Sequence, residues 1–98
     1  MAEQPIQIRA VYSPRIDKDT NESEELRSVI NRAFELFFDG AFGLITDEQQ
    51  AINEKAIERL EGTVTSKYHT ENGDIYIKME FVDKTLAIAT AMYCEEDI

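Results

Sequence analysis

At Gly62 the spacing of apolar residues changes from three-and-four to two, and this switch constrains the fold of the chain more than any other feature. Upstream, Leu26, Val29, Ile30, Ala33, Phe34, Phe37 and Phe38 recur at helical spacing, and Leu36 widens their stripe to about half the circumference at ~100° per residue. Downstream, Val64, Ser66, Tyr68 and Thr70 alternate with polar neighbours, as do Ile75, Ile77, Met79 and Phe81. Helical periodicity followed by strand periodicity predicts an α+β domain in which helices cover a sheet.

The punctuation between these runs sets the elements. Ile6 to Tyr12 alternates and stops before Ser13-Pro14, which predicts a first strand, and residues 13–21 read as a polar connection. Asn21 or Ser23 is expected to cap a helix whose first turn holds Glu22, Glu24 and Glu25 and which ends near Asp39-Gly40. Thr46 with Gln49 has the form of a capping box opening a second helix over about 47–61, with Gly62 as its stop. Ile52, Ala56 and Leu60 are expected on its inner face. Glu71-Asn72-Gly73-Asp74 predicts an Asn-Gly hairpin, and Val82-Asp83-Lys84 a turn into a last strand from Thr85 to Tyr93, followed by a solvated tail. The predicted order is strand, two helices, then a three-stranded antiparallel meander, with both helices packed on one sheet face. Residues 1–98 form a single domain, a length that buries roughly two-thirds of the unfolded surface.

Charge narrows the function classes. Twenty acidic and ten basic side chains give a formal charge of −10, a field that repels nucleic-acid backbones and anionic lipid alike and attracts a basic protein surface. Direct nucleic-acid binding is disfavoured, whereas the basic groove of an enzyme that normally holds DNA or RNA is favoured. The first residues carry no basic stretch followed by an apolar run, and no stretch of membrane-spanning length occurs, so a cytoplasmic location and no membrane partner are expected. Cys94, the only cysteine, is expected as a free thiol.

Several short features invite a chemical reading. Gly40-Ala41-Phe42-Gly43 precedes a helix, as do Thr46-Asp47-Glu48 and then Asn53-Glu54 within it; beyond Gly62 stand Ser66-x-Tyr68 and Ile75-Tyr76-Ile77-x-x-Glu80. On these residues the chain from Gly40 onward resembles a group of small uncharacterised proteins of bacterial plasmids, prophages and other mobile elements. It departs from them at Phe42, where Trp is common, and at Met92 to Asp97, where Leu-Pro-Glu-Glu-Tyr is usual. The resemblance implies a setting, a mobile element in a bacterial cytosol, more than a chemistry.

The residues themselves point away from catalysis. His69, the only histidine, reads as a solvated strand-end side chain, and nothing marks a basic pocket or helix N-terminus around Cys94. Asp17, Asp19 and Asn21 have the alternate spacing of a calcium loop, but Glu22 replaces its sixth-position Gly and Ser28 its bidentate Glu. The Gly40–Gly43 segment lacks the Lys and Ser/Thr of a phosphate loop and reads as a helix-to-helix turn with Phe42 in the core. Tyr68 and Tyr76 are expected as a cross-strand pair. No catalytic residue, metal or cofactor is therefore assigned.

The second helix is different. Asp47, Glu54, Glu58 and Glu61 line the stripe opposite its apolar face, although like charges four residues apart repel by a few tenths of a kcal/mol. The expected function is a small, acidic, non-enzymatic binding protein of a phage or mobile element, which occupies the basic nucleic-acid site of a host protein through these four residues. An inhibitor of a host defence nuclease, anti-CRISPR or anti-restriction, fits that description. The alternative is a structural or regulatory adaptor that forms a homodimer through Phe34, Phe37 and Phe38.

Overall fold

The computed structural model describes residues 6–71 and 73–96. Strand β1 (Gln7–Tyr12) leads into α1 (Pro14–Glu22) and α2 (Glu24–Phe38); α3 (Asp47–Arg59) follows, then β2 (Thr63–Thr70), β3 (Gly73–Phe81), β4 (Leu86–Tyr93) and a 3₁₀ turn at Cys94–Glu96. The sheet order is β1-β4-β3-β2. The meander β2-β3-β4 is antiparallel as expected, but β1 pairs with β4 in parallel, so the sheet is mixed. The helical crossover between β1 and the meander makes that direction accessible, since a parallel neighbour cannot be reached by a tight turn.

Residues 13–21, expected as a connection, form a helix. Ser13 takes an extended conformation and its Oγ accepts from Ile16 N, Pro14 opens the first turn, and Ile16 and Thr20 turn inward and are buried. Ser23 ends α1 and caps α2, its Oγ accepting from Leu26 N at 3.2 Å. Tyr93, at the end of β4, ties α1 to the sheet by donating from its hydroxyl to Asp19 Oδ2 at 2.6 Å. Burial, and then that carboxylate, push the Tyr93 phenol up to about 12.

The period-two pattern places Val64, Tyr68, Ile75, Ile77, Met79, Ala87, Ala89, Ala91 and Tyr93 on one sheet face, where they bury against Ile16, Leu26, Ile30, Ala33, Phe34, Phe37, Phe42 and Ala56. Alanine at three alternate positions of β4 leaves room for helices to approach this central strand closely. Phe34 and Phe37 are therefore core residues, and only Phe38 of that trio, 49% exposed, has surface to offer a partner. Tyr68 pairs with Ile75 on the buried face while Tyr76 pairs with Lys67 on the open one, so the expected tyrosine pair does not form. Asn72 of the expected Asn-Gly turn lies outside the described residues. The β3–β4 turn is held by Asp83, whose Oδ1 accepts from Thr85 N, Thr85 Oγ1 and Leu86 N, bonds that keep its carboxyl below the usual range.

Candidate protein-binding surface

The acidic helix is anchored by its least apolar inward residue. Asn53 is fully buried, and its carboxamide imitates a peptide group: Oδ1 accepts from Thr65 N at 2.9 Å while Nδ2 donates to Thr65 O at 2.8 Å. Ala56 buries beside it, whereas Ile52, expected inside, is 49% exposed. The inward stripe runs through Gln49, Asn53 and Ala56 because β2 presents a strand edge to α3, and a strand edge is satisfied by an amide rather than by a methyl group. Thr46 Oγ1 accepts from Gln49 N at 3.0 Å, one half of the capping box, but the Gln49 side chain reaches forward to Asn53 Oδ1 at 2.9 Å.

Farther along β2 a loop takes over the same edge. Lys67 N donates to Phe42 O and Leu44 N to Lys67 O, so Gly43 forms a one-residue parallel bridge beside Lys67. Phe42 is buried as expected, and the Tyr68 hydroxyl donates to Ala41 O at 2.8 Å. Burial raises the Tyr68 phenol. Ser66 lies on the buried face and donates to Ile77 O. Ala41, Phe42, Gly43, Asn53, Ser66 and Tyr68, six of the residues behind the resemblance, thus belong to one structural lock around β2, whose long-range hydrogen bonds no local pattern announces.

Asp47, Glu54 and Glu58 stand on the exposed side of α3, Glu54 accepting from Gln50 Nε2 at 3.2 Å. These three form a stripe ~16 Å long, at 1.5 Å per residue. The helix ends at Arg59, two residues before the expected Glu61, because Leu60 adopts the left-handed conformation (φ 54°). Glu61 therefore lies past the stripe, 3.6 Å from Lys84 Nζ, which also donates to Arg59 O. Among the described residues, Glu61 alone of the four is held in an ion pair.

The remaining candidates do not converge. His69 Nδ1 lies 2.7 Å from Asp74 Oδ1 at an exposed strand end, a contact that holds the Asp74 carboxyl below its ordinary value. Cys94 follows Tyr93, the partner of Ile75, so β3 separates it from His69 on β2. Two strand spacings amount to ~9–10 Å, beyond the hydrogen-bond reach of a thiol–imidazole pair. Asp17 and Asp19 sit on α1, so the loop geometry of a calcium site is replaced by a helix. An apolar groove of about 550 Å³ runs between α2 and β2, and its rim cations Arg32 and Lys67 face Glu35 and Asp74.

Among the described residues no helix is long and apolar enough to cross a membrane. A scan against protein-family models, a search of curated proteins and a search of solved structures each return no match.

Proposed function

We propose that the chain is a non-enzymatic binding protein whose α3 face docks in the basic, nucleic-acid-binding site of another protein. The observation that carries this reading is the exposed row of Asp47, Glu54 and Glu58, none of them in an ion pair among the described residues, on a helix fixed to the sheet through Asn53. A rigid mount matters because carboxylates held in place can stand in for phosphate oxygens without an ordering cost on binding. The −10 charge steers such a protein toward cationic surfaces and accelerates association. Glu61 extends the surface at the helix end, in exchange with Lys84.

Duplex DNA carries about one charge per 1.7 Å of axis, far denser than this row, so the contact is expected to cover a short groove rather than a full duplex track. The mobile-element setting rests on the resemblance and makes a host defence nuclease the partner to try first. Pull-down from a bacterial lysate at low and moderate salt tests the reading. The native chain should recover a nucleic-acid enzyme that the variant Asp47→Lys, Glu54→Lys, Glu58→Lys, Glu61→Lys does not. Equal recovery by both would exclude the acidic face.

A further inference from the structure

The two edges of the sheet are treated in opposite ways. At β2 an obligatory glycine and a buried asparagine cover the edge. At β1 no segment among the described residues does so, and five of its six residues are exposed. Gln7 N donates to Thr85 O and Ser13 N to Ala91 O, both at 2.8 Å, so the odd-numbered peptide groups face β4. By alternation, the N–H and C=O groups of Ile8, Ala10 and Tyr12 face outward.

Large apolar side chains flank this bare edge on both sides of the sheet. Val11, 40% exposed, stands on the open face; Ile8, 39% exposed, stands on the helix face and shares a small apolar hollow of about 170 Å³ with Phe38. Charge permits contact here. Twenty acids are spread over the chain, yet Ile6 to Tyr12 contains none and carries Arg9. Gly62 to Thr70 is also free of acids, but its edge is already covered. Two bodies of charge −10 approach each other with least repulsion where acids are missing.

We propose that a second copy of this chain docks on β1, antiparallel to it, so that the two four-stranded sheets continue into one. A two-fold axis through Ala10 makes the edge its own complement, pairing Ile8 with Tyr12 of the partner copy, and puts the smallest side chain at the axis. A six-residue ladder is only ~20 Å long, and a stable interface needs about 1,000 Å² in total. The ladder therefore needs Ile8, Val11 and Phe38 packed beside it, and these side chains are exposed there. With Phe34 and Phe37 in the core, a dimer built on the three phenylalanines has only Phe38 to use, and the strand edge supplies the rest.

Sedimentation velocity of the full chain over a range of concentrations at moderate salt tests this. The native protein should run as a dimer of the 11.2 kDa chain. Ala10→Pro removes only an outward N–H, a change that edge strands tolerate, and should leave a folded monomer by circular dichroism. Phe38→Glu should do the same, whereas Leu44→Glu, on the covered edge, should remain dimeric. A native monomer at every concentration, or a dimer that survives both Ala10→Pro and Phe38→Glu, overturns the proposal. Should Ala10→Pro fail to fold, hydrogen exchange of the native chain decides: the Ile8, Ala10 and Tyr12 amides must slow as concentration rises, and unchanged rates also overturn it. Lysine substitution of the α3 acids should leave the dimer intact, so this interface and the acidic face can fail separately.

Discussion

Gly43 is the residue with the least freedom in the lock around β2. A Cβ there would stand 2.1 Å from Lys67 O and 2.9 Å from Tyr68 Cδ1, on a backbone at φ +75°. At Gly40, with a similar φ of +83°, nothing lies within 4 Å. Gly43→Ala is thus expected to lose about 2–3 kcal/mol of stability, from strain plus the displaced bridge, and Gly40→Ala about 1 kcal/mol from strain alone. Urea midpoints at unchanged m would show the difference. Tyr93 gives a pH test. Its folded-state pKa of about 12 lies above the ordinary 10.0, so its contribution is complete below pH 10 and lost as pH rises toward 12. Asp19→Asn removes the second cause and leaves burial, so tyrosinate absorbance should show this phenol ionising partway back toward 10.0. Neither residue's role could be seen in the sequence, because Lys67 and Asp19 are partners of Gly43 and Tyr93 only after folding.

Among the elements, α1 and α3 show how local patterns mislead. α1 has two inward residues, Ile16 and Thr20, too few for an apolar stripe, although Ser13-Pro14 carries a cap and first-turn signal that a reading weighted toward hydrophobicity passes over. α3 was expected to turn Ile52 inward because apolar residues usually face a core, yet a strand edge rewards an amide. Its outward acids were legible for the same reason that its inward face was not: exposure follows charge, whereas Asn53 is defined by what it meets. Asn53→Ala deletes both bonds to Thr65 and should cost about 2 kcal/mol. It should also speed exchange of the Thr65 amide more than that of the β3 amides, if α3 loosens before the sheet opens.

For the whole molecule, the alternation in β2 and β3 was readable residue by residue, and with it the burial of one sheet face, whereas β4, largely apolar on both faces, was readable only as a strand. The mixed character of the sheet was not readable, because β1 carries no mark of the strand it joins. Its register, Gln7 beside Leu86, is fixed by a match between distant segments. The acidic balance was legible as a total and along α3, but not in the tail. The tail expected in solvent instead brings Glu96 to accept from Tyr93 N and Ser13 Oγ, and Arg15 to within 2.6 Å of Glu95.

The pairing of β1 with β4 has a consequence in time. During synthesis Tyr12 leaves the ribosome long before Leu86, and at ~5–20 residues per second the first strand waits roughly 4–15 s for its neighbour. Over that interval both of its edges are bare, in a nascent chain whose hairpin has yet to be made. A segment free of acids then stands bare in an otherwise self-repelling polypeptide. The interval is long enough for chains on neighbouring ribosomes of one message to meet, so β1 is where a folding error would begin.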